Sequence, residues 1–519
     1  MYKNATASLQ INGSLVGQIP IQSAIRQGCP LSMALYTLCV HPLLRTLESS
    51  LTGVSIGERG QRISALAYAD EITVLISNRE DIDKVHHAVR IYEKATGAQL
   101  NPNKSRTIAV GGWREPISPL GIEFSQHVTI LGVTFGPTME ETIRESWKKV
   151  TNAVRAQARI AYARNLCLAH RVKYVNIYLL SKIWYLAQVL PPPTCHTQQL
   201  KSTCTWFIWK GAIFRVPITT LQRTEESGVW ALPDIALKCR ALLFGRMRTL
   251  TARKDSATAA LLGKWNITDT VENPPHISKI PSKLVHVRQY ALVMAYVAPQ
   301  RTIEIMSKQR SRIYQTLKDI QSNTERSEVM RIVRKYPEVN WKRLWTNLHT
   351  AWISDAQRST WYMVIHDLIP TNDRLAAIKL TETNHCSTCD AIDTTQHRLT
   401  QCGERKLIWN WTRARIAAIT RTNSVNVPET WTIKPDFQIW PPQRHKAIMW
   451  MISQLVNYHM QGQRRKSLED YIDFMRRARW KAESSTARQK AVGNYLSILD
   501  PPSLWTTQMP RTRHTLGNP

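Results

Sequence analysis

Polar and apolar positions divide the chain into an alternating first quarter and a longer helical remainder. Residues 7–11 and 15–21 alternate on either side of Asn12-Gly13, a dipeptide that tolerates positive φ and so predicts a two-residue β-hairpin. Leu31, Leu35, Leu38, Leu43 and Leu47 then recur at helical spacing behind the turn Gly28-Cys29-Pro30, predicting a buried helix face up to about Ser50. Two short apolar runs, 64–69 and 72–76, enclose Asp70 and Glu71 with no glycine or proline to break them. That pattern predicts a tight hairpin carrying acids at its tip. Asn78 can cap a helix over 79–96 that turns Ile82, Val85, Val89 and Tyr92 to one side and stops at Gly97. Lys104 follows in a strand-like segment ending at Val110. From Thr138 the spacing is helical, over 139–168, 170–190 and, beyond Pro191-Pro192-Pro193, 198–209; a turn-rich stretch and a further helix reach about Thr251. Asn273-Pro274-Pro275-His276 and Ile280-Pro281 mark a loop-rich linker. Helical patterns then resume, and Trp341, Leu344, Trp345, Leu348 and His349 form a stripe that reads as core rather than as a base-stacking platform. The fold class is α+β, mostly helical after the first quarter.

Charge changes the picture more than length does. The 519 residues, 43% of them hydrophobic, form a globular chain with room for about three domains. A net charge of +31 repels itself unless a polyanion neutralises it, which favours nucleic acid over a solvated surface or an anionic membrane. Arg155, Arg159, Arg164, Arg171 and Lys173 stand in a stretch with almost no acid, a phosphate-contacting face or a solvated one. The same two readings hold for Arg464, Arg465, Lys466, Arg476, Arg477, Arg479 and Lys481. Nine cysteines, an odd number, without a secretory leader imply reduced thiols in an intracellular compartment, nucleus or cytoplasm. No apolar run reaches spanning length, so no membrane is expected.

Two constellations carry chemistry. The acid pair Asp70-Glu71 on a stiff hairpin suits a hard divalent cation, although an isolated pair can equally be solvated. Cys386, Cys389, His397 and Cys402 are spaced C-x2-C-x7-H-x4-C, the proportions of a closed tetrahedral zinc site, with His385 at the wrong spacing. Trp409 and Trp411 with Arg413 and Arg415 suit base stacking or equally a buried helix face.

Taken in order, Ile25-Arg26-Gln27-Gly28-Cys29-Pro30-Leu31-Ser32, Tyr68-Ala69-Asp70-Glu71, Leu100-Asn101-Pro102-Asn103-Lys104-Ser105 and Ile130-Leu131-Gly132-Val133 resemble the palm motifs of reverse transcriptases from non-LTR (LINE-type) retrotransposons, of the kind found in arthropods. The resemblance implies an RNA-directed DNA polymerase: a partial palm over 1–137 and a helical thumb and connection over 138–251. A linker over 252–285, a helical region over 286–420 with the Cys/His module at 385–402, a basic region over 421–500 and a disordered tail over 501–519 complete the expected division. It implies Asp70 and Glu71 as catalytic acids, Asp70 as the Mg²⁺ ligand, Arg26, Gln27 and Gly28 beside the template and incoming nucleotide, Lys104 near the triphosphate, and Leu131 and Gly132 as a primer-gripping turn. The Cys/His segment, with Ile369-Pro370-Thr371-Asn372-Asp373-Arg374-Leu375 before it, is implied to bind Zn²⁺ and to grip RNA or target DNA. The partners would be an RNA template with a DNA primer or target DNA.

Two departures bear on activity. The family reads Asp-Asp where this chain reads Asp70-Glu71, and it places a further Asp on an upstream strand, whereas no Asp occurs between Met1 and Ala69. The expectation is an amino-terminally truncated enzyme that binds nucleic acid without polymerising. A stand-alone zinc-dependent nucleic-acid-binding protein, or an unexpressed remnant of an element, stands as the alternative.

Overall fold

The protein is described by a computed structural model over residues 6–21, 29–55, 62–113, 118–222, 232–251, 277–281, 284–296, 312–324, 331–421, 427–439, 441–460, 467–484 and 496. Most of the linker, the tail, the basic stretch 464–466, and Arg26, Gln27 and Gly28 therefore lie outside the described residues. The chain divides into two compact units, Met1–Lys149 with Leu186–Pro193 and Arg240–Ile313, and Val150–Tyr185 with Thr194–Cys239 and Tyr314–Pro519.

In the first unit the Asn12-Gly13 signal closes a hairpin between Thr6–Ile11 and Ser14–Pro20, with φ of 51° and 85° at the two turn residues. Helix α1, Ser32–Ser50, begins where the Ser32 amide donates to the Cys29 carbonyl at 3.1 Å. Its buried face differs from the predicted one. Val40, Leu43 and Leu47 are buried, whereas Leu31 and Leu38 are 43% and 70% exposed. The leucine spacing slips across Pro42, and only the carboxyl-terminal half of the helix lies on the core. That core joins Leu43, Leu47 and Leu51 to Val85 and Ala88, with Ile72, Val74, Val89, Tyr92 and Leu120 packed against it. Each of the buried leucines, and Val85, contributes about 1.5–3 kcal/mol.

Helix α2, Glu80–Thr96, is capped as expected. Asn78 Oδ1 accepts from the Asp81 amide at 2.9 Å, and Gly97 ends the helix at φ 71°. The apolar pattern does not foretell Asp81, which is wholly buried. Both of its oxygens accept from the Thr52 amide at 3.0 Å, and Lys84 donates to it at 3.3 Å. Burial pushes this carboxyl up, but the Thr52 amide and Lys84 outweigh it and hold the pKa below the usual range. The buried charge thereby ties the start of α2 to the loop after α1.

Among the described residues the sheets are all two-stranded. The antiparallel pairs are Val54–Ser55 with Arg62–Ile63, Ala65–Tyr68 with Glu71–Val74, and Val128–Ile130 with Val133–Phe135; Arg106–Thr107 pairs parallel with Glu123–Phe124. The strand expected around Lys104 shrinks to Arg106–Thr107. Lys104 itself lies in a turn, its amide bonded to the Asn101 carbonyl and side chain at 3.2 Å, because an Asn-Pro pair favours turn initiation over continued pairing.

Helix α3, Met139–Tyr162, stops six residues earlier than predicted. The helical run expected over 170–190 is broken into Leu168–Tyr174, a π-turn over Val175–Leu179, Ser181–Trp184 and a 3-10 turn over Leu186–Gln188. Valine, isoleucine and tyrosine crowd that stretch and hold a helix poorly, and the Leu180 amide reaches back to the Val175 carbonyl at 2.9 Å. Three prolines then end the run, and the helix Thr194–Trp209 follows.

In the second unit Leu344, Trp345 and Leu348 of the Trp341–Thr350 helix are buried, in line with the core reading of that stripe. The Asp355–Ile365 helix starts with a reciprocal cap between Ser354 and Gln357. Trp409 and Trp411 of the Glu404–Thr420 helix are fully buried, which settles their open reading in favour of the helix core. Trp411 meets Tyr471 edge-on at 5.7 Å. Arg479 departs from the expected basic stripe: it is buried and bonds Glu483 at 3.2 Å, while Arg476 pairs with Asp473 at 3.0 Å. Among the described residues no helix is long and apolar enough to cross a membrane.

Candidate functional site

The acid hairpin forms in the predicted register, with Ala65 opposite Val74 and Tyr68 opposite Glu71, so that Ala69 and Asp70 make a two-residue tip. Ala69 sits at φ 51°, a left-handed conformation that costs an L-residue about 1–2 kcal/mol and is tolerated where a turn must be tight. Asp70 and Glu71 are both exposed. Asp70 lies within electrostatic reach of Tyr36 on α1: burial raises the Tyr36 phenol pKa first, and Tyr92 and Asp70 raise it further. Nothing in the spacing of α1 singled Tyr36 out.

Glu71 is engaged elsewhere. Its Oε2 accepts from the Leu131 amide at 3.1 Å. Leu131 and Gly132, at φ 47° and 79°, are the two-residue turn of the Val128–Ile130/Val133–Phe135 hairpin. Two of the sequence motifs thus meet through one hydrogen bond across 60 residues of chain. An Asp at position 71 is one methylene shorter, about 1.3 Å, and would leave that amide to solvent. Exchange of the Leu131 amide should therefore quicken about fivefold in Glu71→Asp and stay within about twofold of the parent in Glu71→Gln, which keeps the acceptor oxygen. Hydrogen exchange of the 128–135 segment checks this. A faster Gln variant beside an unchanged Asp variant is what a purely metal-ligating Glu71 would give. Lys104 stays exposed in its turn.

The second cluster is built by a knuckle and a helical turn. The Cys386 amide donates to the Ala391 carbonyl at 2.7 Å and the Asp390 amide to the Cys386 carbonyl at 3.0 Å, with Asp390 at φ 58°. His397 begins the π-turn His397–Gln401, closed where the Cys402 amide donates to the His397 carbonyl at 3.1 Å. The ligand atoms of Cys386, Cys389, His397 and Cys402 all lie within 4.8 Å of one another. Sγ of Cys386 and Cys389 are 3.6 and 3.8 Å from Sγ of Cys402, and Cys389 Sγ is 3.3 Å from His397 Nε2. The edges of a tetrahedron about zinc are about 3.8 Å between sulfurs and about 3.5 Å from sulfur to nitrogen, so the set fits such an ion. These separations are far beyond a disulfide bond. Burial opposes ionisation of Cys386, but the amides of Thr388 and Cys389 and the side chains of His397 and Cys402 hold its thiol down to about 6. Burial pushes Cys402 up to about 12. His385 is not one of this set; its Nδ1 lies 2.6 Å from the Asp390 carbonyl.

The segment before the knuckle braces it. Asn372 donates its amide to Asp393 at 2.8 Å and its side chain to the His385 carbonyl at 2.7 Å. Asp393, 2% exposed, also takes two bonds from Arg398 Nε at 2.7 and 3.0 Å and one from its Nη2. Glu429 accepts from Gln396, Thr400 and Gln401 at 3.2, 2.9 and 3.1 Å, clamping the π-turn. Asp393 and Glu429 escape a sequence reading because neither stands in the Cys/His spacing.

Among the predicted cations, Arg155, Arg159 and Arg164 are exposed. Arg171 is half-buried, its pKa lowered by that burial, and Lys173 donates to Asp355 at 2.7 Å.

Residues 1–135 match the family model described as reverse transcriptase (RNA-dependent DNA polymerase). The chain is 27% identical over 217 residues to the transposon TX1 uncharacterized 149 kDa protein of Xenopus laevis, covering 41% of this chain and 16% of that protein. It is 26% identical over 106 residues to the retrovirus-related Pol polyprotein from type-1 retrotransposable element R2 of Popillia japonica, covering 20% and 17% of the two chains. Its likeness to the corresponding R2 polyprotein of Nasonia vitripennis is 27% over 110 residues, or 21% and 10%. The chain thus spans less than a fifth of the length of each of these relatives. The acid-tipped hairpin and the Leu131-Gly132 turn bonded to it both lie within the matched segment 1–135, which is thus similar to reverse transcriptases, and the relatives it resembles are proteins of transposable elements, in line with the resemblance to non-LTR retrotransposon enzymes.

Proposed function

We propose that this chain grips nucleic acid as the palm and thumb portion of a non-LTR reverse transcriptase, holding an RNA template with a DNA primer or target DNA. The observation that carries the reading is the contact between Glu71 and Leu131, which joins the acid hairpin to the turn that the family uses against the primer. The excess of +31 charges supports a polyanionic ligand. The division into palm to residue 137, thumb to 251, a Cys/His-bearing helical region and a basic carboxyl-terminal region belongs to the same reading.

Nucleotide transfer in this family rests on two divalent cations, which repel each other unless several carboxylates share them. The acids present do not fit that pair. Asp70 offers one exposed carboxylate, Glu71 is held by the Leu131 amide, and no Asp stands before Asp70 in the chain. The chain by itself is therefore proposed to bind without polymerising, with Asp70 as the acid through which Mg²⁺ would be engaged. Purified chain supplied with an annealed RNA template, DNA primer, Mg²⁺ and deoxynucleotides should leave the primer unextended, and Asp70→Asn should change affinity for the annealed strands by less than about twofold. Primer extension would overturn the first statement. Loss of binding in Asp70→Asn would overturn the second.

Cys386, Cys389, His397 and Cys402 are proposed to hold zinc in a closed structural site. Three sulfurs and one nitrogen at tetrahedral separations leave no position open for a reacting water, so the ion's part is to fold the knuckle.

A further inference from the structure

The carboxyl-terminal ends of α3 and of the Thr194–Trp209 helix meet through two aromatic rings. Tyr162 and Trp206 stack with centroids 4.4 Å apart and planes 13° from parallel, yet Trp206 keeps 42% of its surface exposed. Lys210 Nζ lies 5.0 Å from the Tyr162 ring centre and donates to the Arg164 carbonyl at 2.7 Å. Arg155 and Arg159 precede Tyr162 at helical spacing, placing all three along one stripe of α3. The Arg164 guanidinium is 5.9 Å from the Tyr174 ring, which in turn lies 4.7 Å from Tyr178, a ring that is 55% exposed. No residue from 146 to 222 is acidic. Among the described residues no carboxylate pairs with Arg155, Arg159 or Arg164.

An exposed aromatic stack edged by unpaired cations calls for a ligand that is both flat and anionic. A second copy of this surface would meet it with like charge. A duplex offers phosphates but keeps its base faces stacked inside, whereas an unpaired strand offers both. We propose that Tyr162 and Trp206 are a stacking platform for the bases of single-stranded nucleic acid, with Arg155, Arg159 and Arg164 taking its phosphates. This rests on the nucleic-acid reading above and names the surface and the strand state that it uses.

The test is fluorescence anisotropy of the full chain with three probes at one salt concentration: a 20-nucleotide oligouridine, an abasic sugar-phosphate strand of the same length, and a 20-base-pair duplex. Trp206→Leu should weaken oligouridine binding about tenfold. It should leave the abasic strand and the duplex within about twofold, with an unchanged melting temperature, and Trp206→Tyr should restore oligouridine binding. Arg159→Gln should weaken oligouridine and the abasic strand alike. If Trp206→Leu binds oligouridine as the parent does, or loses all three probes equally, the platform is overturned while the nucleic-acid reading stands. If the parent binds no probe, both fall. Polyglutamate of the same length serves as a control in the same assay, and parent binding to it in preference to every nucleic-acid probe would assign the surface to a protein partner and overturn the proposal.

Discussion

Replacing any one of Cys386, Cys389, His397 and Cys402 is expected to release one zinc ion per chain and open the segment 385–402, whereas His385→Ala keeps the ion. The contrast follows from geometry, since the four ligand atoms lie within 4.8 Å of one another while His385 faces the Asp390 carbonyl. Structural zinc contributes about 10–16 kcal/mol to small modules near neutral pH, so the knuckle should not survive its loss. The braces around it, Asn372 to Asp393 and His385, and Glu429 to the π-turn, localise the damage. Metal analysis counts the ion, and limited proteolysis reports the opening. Acidification should act in the same direction as the substitutions, because protons compete with the ion for the thiolates and the imidazole. Full zinc content in Cys402→Ser would sink the assignment.

Trp409→Ala is expected to destabilise the second unit by about 3–5 kcal/mol, the cost of emptying a tryptophan-sized core position. The side chain is fully buried on a helix whose neighbouring Trp411 abuts Tyr471 and whose Thr412 hydroxyl donates to the Tyr471 oxygen at 3.2 Å. Thermal or denaturant unfolding measures the loss, and any fall in nucleic-acid affinity should track the unfolded fraction. Trp206→Leu is the counterpart, with unchanged stability and a selective loss of base-bearing strands. A Trp409→Ala chain that keeps its stability but loses affinity would reverse the assignment of the two tryptophans.

The reading of Glu71 shows where local pattern stops being informative. As a sequence feature it is the second acid of a pair and invites a metal. In the fold its extra methylene spans to an amide 60 residues away, a use that no spacing rule could expose. Trp409 and Trp411 were ambiguous for a related reason: tryptophans interleaved with arginines look alike whether the helix face is buried or bare.

What the chain's order of residues determined by itself is what neighbouring residues settle among themselves. Asn12-Gly13 set one hairpin, the apolar runs about Asp70 set another, Asn78 and Gly97 bounded α2, and the Cys-x2-Cys spacing with His397 and Cys402 picked out four side chains that the fold gathers, because turns, caps and knuckles are closed by contacts a few residues apart. Tertiary structure alone decided which face of α1 is buried, that Asp81 carries a charge into the core, that Glu71 holds Leu131, and that Tyr162 meets Trp206 in the open. Each of these depends on which distant surface arrives opposite a residue, and the energy of burial or of a long-range hydrogen bond exists only once that surface is in place.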